Sequence, residues 1–261
     1  MPIPSLPLEI VYYIFDFLHD DTTALKQLCL ASKSWVPRTR EHLFNHVCFR
    51  EIDHRKAWKK YFPPDLDPAQ SPACYTRSLS FHHAEYVTDA DSNWIRAFAK
   101  VVELKICIDF FWVGPNPYSL APFHNLSGSS VKSLELSWTH YTTLQSQAVF
   151  DFIFSFPHLE DLDVEGQTPP GAEAISLPPH LPVFTGKFVF RSSTRCDFVN
   201  RMLELPIPLC FRTIVWKWRP THEAPNNLVE RCSKTLENID IYDSCTSTPS
   251  CSVGPCDRFN I

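Results

Sequence analysis

Glycine is scarce in this chain, at 6 of 261 residues. Glycine-rich phosphate cradles are thereby excluded, because they need several residues free to take up unusual backbone angles. Neither a P-loop, a G-x-G-x-x-G, a G-x-S-x-G elbow nor an H-E-x-x-H occurs. Long apolar runs are missing too. A membrane-spanning helix needs roughly 18 apolar residues in succession, and the most apolar stretch, Ala148 to Phe156, is far shorter and carries Asp151. A basic excess is likewise absent: Lys and Arg number 24 against 29 Asp and Glu, for a formal net charge of −5. That balance argues against nucleic acid as a partner. The N-terminus has no basic flank leading into an apolar run, so no signal peptide is expected. The expected setting is the cytosol or nucleus, where the 10 cysteines remain free thiols.

Proline, by contrast, is abundant, with 23 residues, and many short elements ended by proline are expected. At the N-terminus, Ser5-Leu6-Pro7-Leu8-Glu9-Ile10 has the form of a helix start. Ser5 can cap free amides, Pro7 presets φ in the first turn, and Glu9 complements the helix dipole. Ile10, Ile14, Phe17 and Leu18 then fall at i, i+4, i+7 and i+8, one apolar stripe. Asp20-Asp21-Thr22-Thr23 ends that helix and caps a second, on which Leu25, Leu28, Cys29 and Trp35 share a face. Pro37 suits the start of a third helix carrying Leu43 and Phe44. Three such helices are near the size limit for independent stability and need a partner or a neighbouring domain. On periodicity alone they form a helical cap for whatever follows.

The order of phrases is more specific. Leu6-Pro7-Leu8-Glu9-Ile10, Ile14-Phe15-Asp16-Phe17-Leu18, Ser32-Lys33-Ser34-Trp35 and His42-Leu43-Phe44 together resemble the F-box pattern over roughly residues 3 to 50. The resemblance implies a three-helix module that binds a Skp-family adaptor and, through it, cullin and a RING protein. Carried over position by position, it makes Leu6, Pro7, Ile10, Ile14, Leu18, Leu28 and Trp35 the candidate adaptor contacts. Cys29-Leu30-Ala31 departs from the Val-Cys or Val-Ser that often stands there, which bears on affinity.

Residues 51–74 are polar and then proline-rich, and are expected to form a connector. Beyond them one phrase recurs: apolar, two residues, apolar, one residue, apolar. It appears around Leu104, Leu134, Leu162, Ile214 and Ile239 and less cleanly around Leu79 and Phe188, so that the centres 79, 104, 134, 162, 188, 214 and 239 follow at steps of 25, 30, 28, 26, 26 and 25 residues. A short alternating strand at such a step predicts a solenoid. Between the phrases, Trp94/Ile95/Phe98/Ala99, Val149/Phe150/Ile153/Phe154, Phe198/Val199/Met202/Leu203 and Leu228/Val229/Cys232 sit at helical spacing. The expected unit is helix then strand. The expected fold class is an α/β solenoid: residues 1–50 a helical module, 75–244 the repeats with a parallel sheet, and 245–261 a polar tail. The repeats resemble leucine-rich repeats of the irregular kind found behind fungal F-boxes, which implies a right-handed superhelix. They depart from that family in lacking its turn asparagine: Ala84, Asp109, Thr139, Gln167, Ser193, Arg219 and Ser244 stand at those positions.

Charged residues flank the apolar ones in the later phrases. Glu160, Asp163, Lys187, Arg191, Arg212 and Lys217 are the candidate substrate contacts, with Asp161, Glu165, Glu237 and Asp240 beside them. Cys245, Cys251 and Cys256 give C-x5-C-x4-C, too loose for a typical zinc site, and Cys74, His82 and His83 fit one no better. No pair of carboxylates is singled out by spacing for acid–base chemistry. The function expected is therefore a non-enzymatic receptor without cofactor or metal, which recruits a protein substrate to a ubiquitin ligase. Its rivals are a scaffold whose helices only cap the repeats, and a metal-dependent enzyme built on the C-terminal cysteines.

Overall fold

The computed structural model describes residues 7–63, 65–67, 71–84, 87–108, 120–126, 130–138, 146–166, 175–191, 197–217 and 224–242. Three helices come first: α1 (Leu8–Phe17), α2 (Thr22–Ala31) and α3 (Val36–Leu43). Asp21 caps α2 by accepting the Ala24 N–H at 2.9 Å, which satisfies one of the amides a helix start leaves free. Pro37 lies in the first turn of α3, as expected. Pro7, expected inside the first turn of α1, instead stands one residue earlier as its N-cap in extended conformation.

Eight strands follow in chain order: β1 (His46–Phe49), β2 (Ser78–Phe81), β3 (Glu103–Ile108), β4 (Ser133–Trp138), β5 (Asp161–Glu165), β6 (Lys187–Phe190), β7 (Thr213–Trp216) and β8 (Asn238–Ile241). They form a single parallel sheet in which each strand pairs with the next in sequence. Parallel neighbours need crossovers of a dozen residues or more, and helices fill several of them: α4 (Ile52–Tyr61), α5 (Ser92–Ile95), α6 (Ser146–Phe154), α7 (Asp197–Glu204) and α8 (Ala224–Cys232). Before β4 a 3₁₀ turn over Ala121–Leu126 takes the helix's place. Between β5 and β6 the described residues form no helix.

The seven apolar phrases are β2 to β8, and their central residues share one ladder row. Val47, Leu79, Leu104, Leu134, Leu162, Phe188, Ile214 and Ile239 face one another strand to strand. Two residues on, Phe49, Phe81, Ile106, Leu136, Val164, Phe190, Trp216 and Ile241 form a second row. Because strand side chains alternate between faces, both rows point to the side where the helices pack, and from β1 to β7 they are buried. Phenylalanine fills much of that core. The Phe49 ring lies 5.2 Å from Phe81, 5.4 Å from Trp94 and 5.5 Å from Trp58, and Phe150 stacks on Phe198 at 5.1 Å. Such aromatic pairs contribute about 0.5–1.5 kcal/mol each beyond the area they bury.

Within residues 51–74, expected to form a connector, Ile52–Tyr61 are the helix α4. There α4 buries Trp58 in the common core and Arg55 beside it, and Arg55 Nη1 donates to the His83 carbonyl at 3.1 Å. A buried carboxylate, Asp91, ties α4 to the turn before α5. It accepts from Lys59, from the Thr88 N–H at 2.8 Å and from Trp94 Nε1 at 2.9 Å. Although burial opposes its charge, the Lys59, Thr88 and Trp94 donors hold the Asp91 carboxyl below its ordinary value. Two glycines are required by close approach. A Cβ at Gly166 would collide with the Trp138 ring, and one at Gly186 with the Asp161 carboxylate. Among the described residues no helix is long and apolar enough to cross a membrane.

Candidate functional site

Two surfaces stand out. The first is built on α1. Its only buried side chain is Phe15, whose ring meets Trp35 edge-on at 5.6 Å. One turn of polar contacts fixes it: Asp16 Oδ1 accepts from Arg38 Nη2 at 2.5 Å and contacts His42 Nε2 at 2.9 Å, both from α3. Desolvation works against the charge of Asp16, but the Arg38 and His42 partners outweigh it and hold the carboxyl below its ordinary value. With α1 anchored through Phe15 and Asp16, its apolar stripe turns outward. Ile10, Tyr13, Ile14 and Phe17 are all exposed, Phe17 to 80%, and Leu30 on α2 is exposed to 82%. An amphipathic helix that shows its apolar face to solvent marks an interaction surface.

The expected adaptor contacts divide. Pro7, Ile10 and Ile14 are exposed, whereas Leu18, Leu28 and Trp35 are half-buried. Trp35 holds α1 in place through Phe15, and Leu6 lies outside the described residues. Tyr13, Phe17 and Leu30, which are not among the expected contacts, are exposed as well. Tyr13 and Phe17 lie on the i+3/i+4 stripe with Ile10 and Ile14, which is the signal that finds them.

The second surface is the sheet face opposite the helices. Alternation places Lys105, Glu135, Asp163, Val189 and Val215 in one row there, with Glu165, Arg191 and Lys217 two residues further along their chains. Lys105 Nζ donates to Glu135 Oε1 at 2.8 Å. Arg191 reaches back from the end of β6, pairing with Asp163 on β5, with Glu135 on β4 at 3.6 Å and with Glu165 at 3.9 Å. Burial pushes the Asp163 carboxyl up to about 6, and the neighbouring Glu135 charge adds to this against the pull of Arg191.

Of the expected substrate contacts, this face brings together Asp163, Arg191 and Lys217, with Lys187 exposed at the start of β6. Glu160 and Arg212 do not join them. Both precede their strands and share the alternation of the buried rows, so they lie on the edge where the strands begin. Glu160 is there paired with Lys132 at 2.7 Å.

Among the described residues no group of three His, Cys, Asp or Glu is placed to hold a metal ion. Cys29, Cys48, Cys74, Cys107, Cys210 and Cys232 are free thiols, while Cys245, Cys251 and Cys256 lie outside the described residues. No family model, curated protein or solved structure matches the chain.

Proposed function

We propose that the chain is the substrate-recruiting subunit of a Skp–cullin–F-box ubiquitin ligase, acting in the cytoplasm or nucleus without catalysis or a cofactor of its own. The observation that carries this reading is the outward apolar stripe of α1. Ile10 and Ile14, two positions of the F-box-like motif, are exposed beside Tyr13 and Phe17, while Phe15 is the one buried side chain of the helix. A stripe of that kind suits burial by a partner better than solvation. In this reading residues 1–50 form the F-box, and the sequential parallel strands behind it form a leucine-rich-repeat-like right-handed superhelix. The sheet face opposite the helices, with Asp163, Lys187, Arg191 and Lys217, receives a protein substrate; Glu160 and Arg212 border it. The ligase gains rate because the receptor holds substrate near the charged ubiquitin carrier, which raises its effective concentration.

Co-expression with a Skp-family adaptor tests the proposal. The wild-type chain is expected to co-purify with the adaptor, and Ile14→Asp combined with Phe17→Asp to abolish recovery with unchanged circular dichroism. Failure of the wild type to retain the adaptor overturns it. The alternative is a scaffold without ligase activity whose helices serve only as a cap. It is favoured by Phe44, at the end of α3, which packs edge-on against Trp58 at 6.2 Å and Phe62 at 6.1 Å beside the first strand.

A further inference from the structure

The sheet face opposite the helices carries two carboxylates in a position that sheets normally avoid. Glu135 and Asp163 are direct ladder partners on adjacent strands, and like charges directly opposite one another repel. One guanidinium answers both, since Arg191 pairs with Asp163 and with Glu135 at 3.6 Å, and it also reaches Glu165 at 3.9 Å. The match is incomplete. Among the described residues, Asp163 Oδ1 and Arg191 Nε are buried with no hydrogen-bond partner. The charged and titratable groups around Asp163 are Lys105 and Cys107 on β3, Glu135 on β4, Asp161 and Glu165 on β5, Arg191 after β6 and Lys217 after β7. Three cations there meet three carboxylates in the central cluster, with Asp161 nearer the strand starts, where it accepts the Lys187 N–H at 2.6 Å.

We propose that Glu135, Asp163 and Arg191 form a proton-operated latch across three strands on this face. With both carboxylates charged, Arg191 is clamped between them and the cluster is neutral. When the pair takes up one proton, the repulsion between the carboxylates ends, one arm of Arg191 is released, and the cluster gains a unit of positive charge. The proton resides on Asp163, the more buried of the two acids, whose carboxyl is pushed up to about 6. The latch is a property of the free chain and is independent of the ligase reading.

A carbon-detected NMR titration of the side-chain carboxyls from pH 4 to 8 tests it on the wild type, with the Arg191 side-chain resonances followed in parallel. Asp163 is expected to titrate near pH 6, with the Arg191 signals moving at the same midpoint. Two variants sharpen the result in opposite directions: Glu135→Gln lowers the Asp163 midpoint, and Arg191→Met raises it. Thermal denaturation supplies a second readout. A carboxyl raised in the folded state contributes stability that is full below its ordinary value of 3.8 and lost as pH climbs through about 6. The wild type is therefore expected to lose stability between pH 4 and 7 relative to Asp163→Asn. An Asp163 midpoint at or below its ordinary value, or Arg191 signals that ignore the titration, overturns the proposal.

Discussion

The two ends of the sheet carry the same sequence phrase and meet different fates. In β1, Val47 and Phe49 are 5% and 2% exposed; in β8, their row-mates Ile239 and Ile241 are 47% and 60% exposed. The strands pair alike with their single neighbours. What differs is the cover. At the first end Phe44 and α4 close over the strand, whereas among the described residues no element lies beyond β8. An apolar strand therefore becomes core only where something is laid against its side and its edge. Phe44, just after α3, and α4 do this, while α1 turns its stripe to solvent.

The largest expected effect breaks this comparison most directly. Phe49→Ala removes a ring that touches four other aromatic residues and is expected to cost about 3–5 kcal/mol. Ile241→Ala in the same ladder row is expected to cost less than about 1 kcal/mol, because most of its side chain is already in water. Equal losses in urea denaturation would show that the far end is covered after all. Next comes Asp91, which belongs to the covered end alone. Asp91→Ala strands Trp94 Nε1 and the Thr88 amide, and is expected to cost about 2–3 kcal/mol at neutral pH. Its carboxyl is depressed in the folded state, so its contribution is full above the ordinary value of 3.8 and lost as pH falls through the folded value. An Asp91→Asn chain should consequently lack part of the wild type's acid-induced loss of stability below about pH 4. The smallest effect is expected from Ile14→Asp, within about 0.5 kcal/mol of wild type, since an exposed side chain has little folded-state packing to lose. A loss of several times that size would place the α1 stripe in the fold's own core and weaken its role as a docking surface.

Much of the sheet was legible because its signal is local and repeated. The seven expected strand centres fall in one row of the sheet, so the spacing that identified the strands also fixed their register. The first strand obeys the same rule, as Phe44, Val47 and Phe49 reproduce the phrase. It went unread because those residues close the helical module and stand 32 positions before the next centre, Leu79. Helix α4 was hidden by its charges: in Ile52–Tyr61 the buried side chains are one tryptophan, Trp58, and one arginine, Arg55. The orientation of α1 could not come from its stripe, since an apolar face toward the core and one toward a partner have the same period. Phe15, off that stripe, decided it. Among the charged candidates, Asp163, Arg191, Glu160 and Arg212 all flank the apolar strand positions, and strand parity separates the first two from the last two. The contact between Arg191 and Glu135 spans two strands, which no local spacing encodes.

Sequential pairing has a dynamic corollary. Among the described residues each strand pairs with those just before and after it in the chain, so opening is a nearest-neighbour process, as in a row of dominoes. An opening that starts at β8 sacrifices one ladder and two half-solvated isoleucines, whereas one that starts at β1 must first dislodge the Phe49 aromatic cluster. Amide hydrogens should accordingly exchange fastest in β8 and progressively more slowly toward the middle of the sheet, a gradient of protection written along the polypeptide from its C-terminal side.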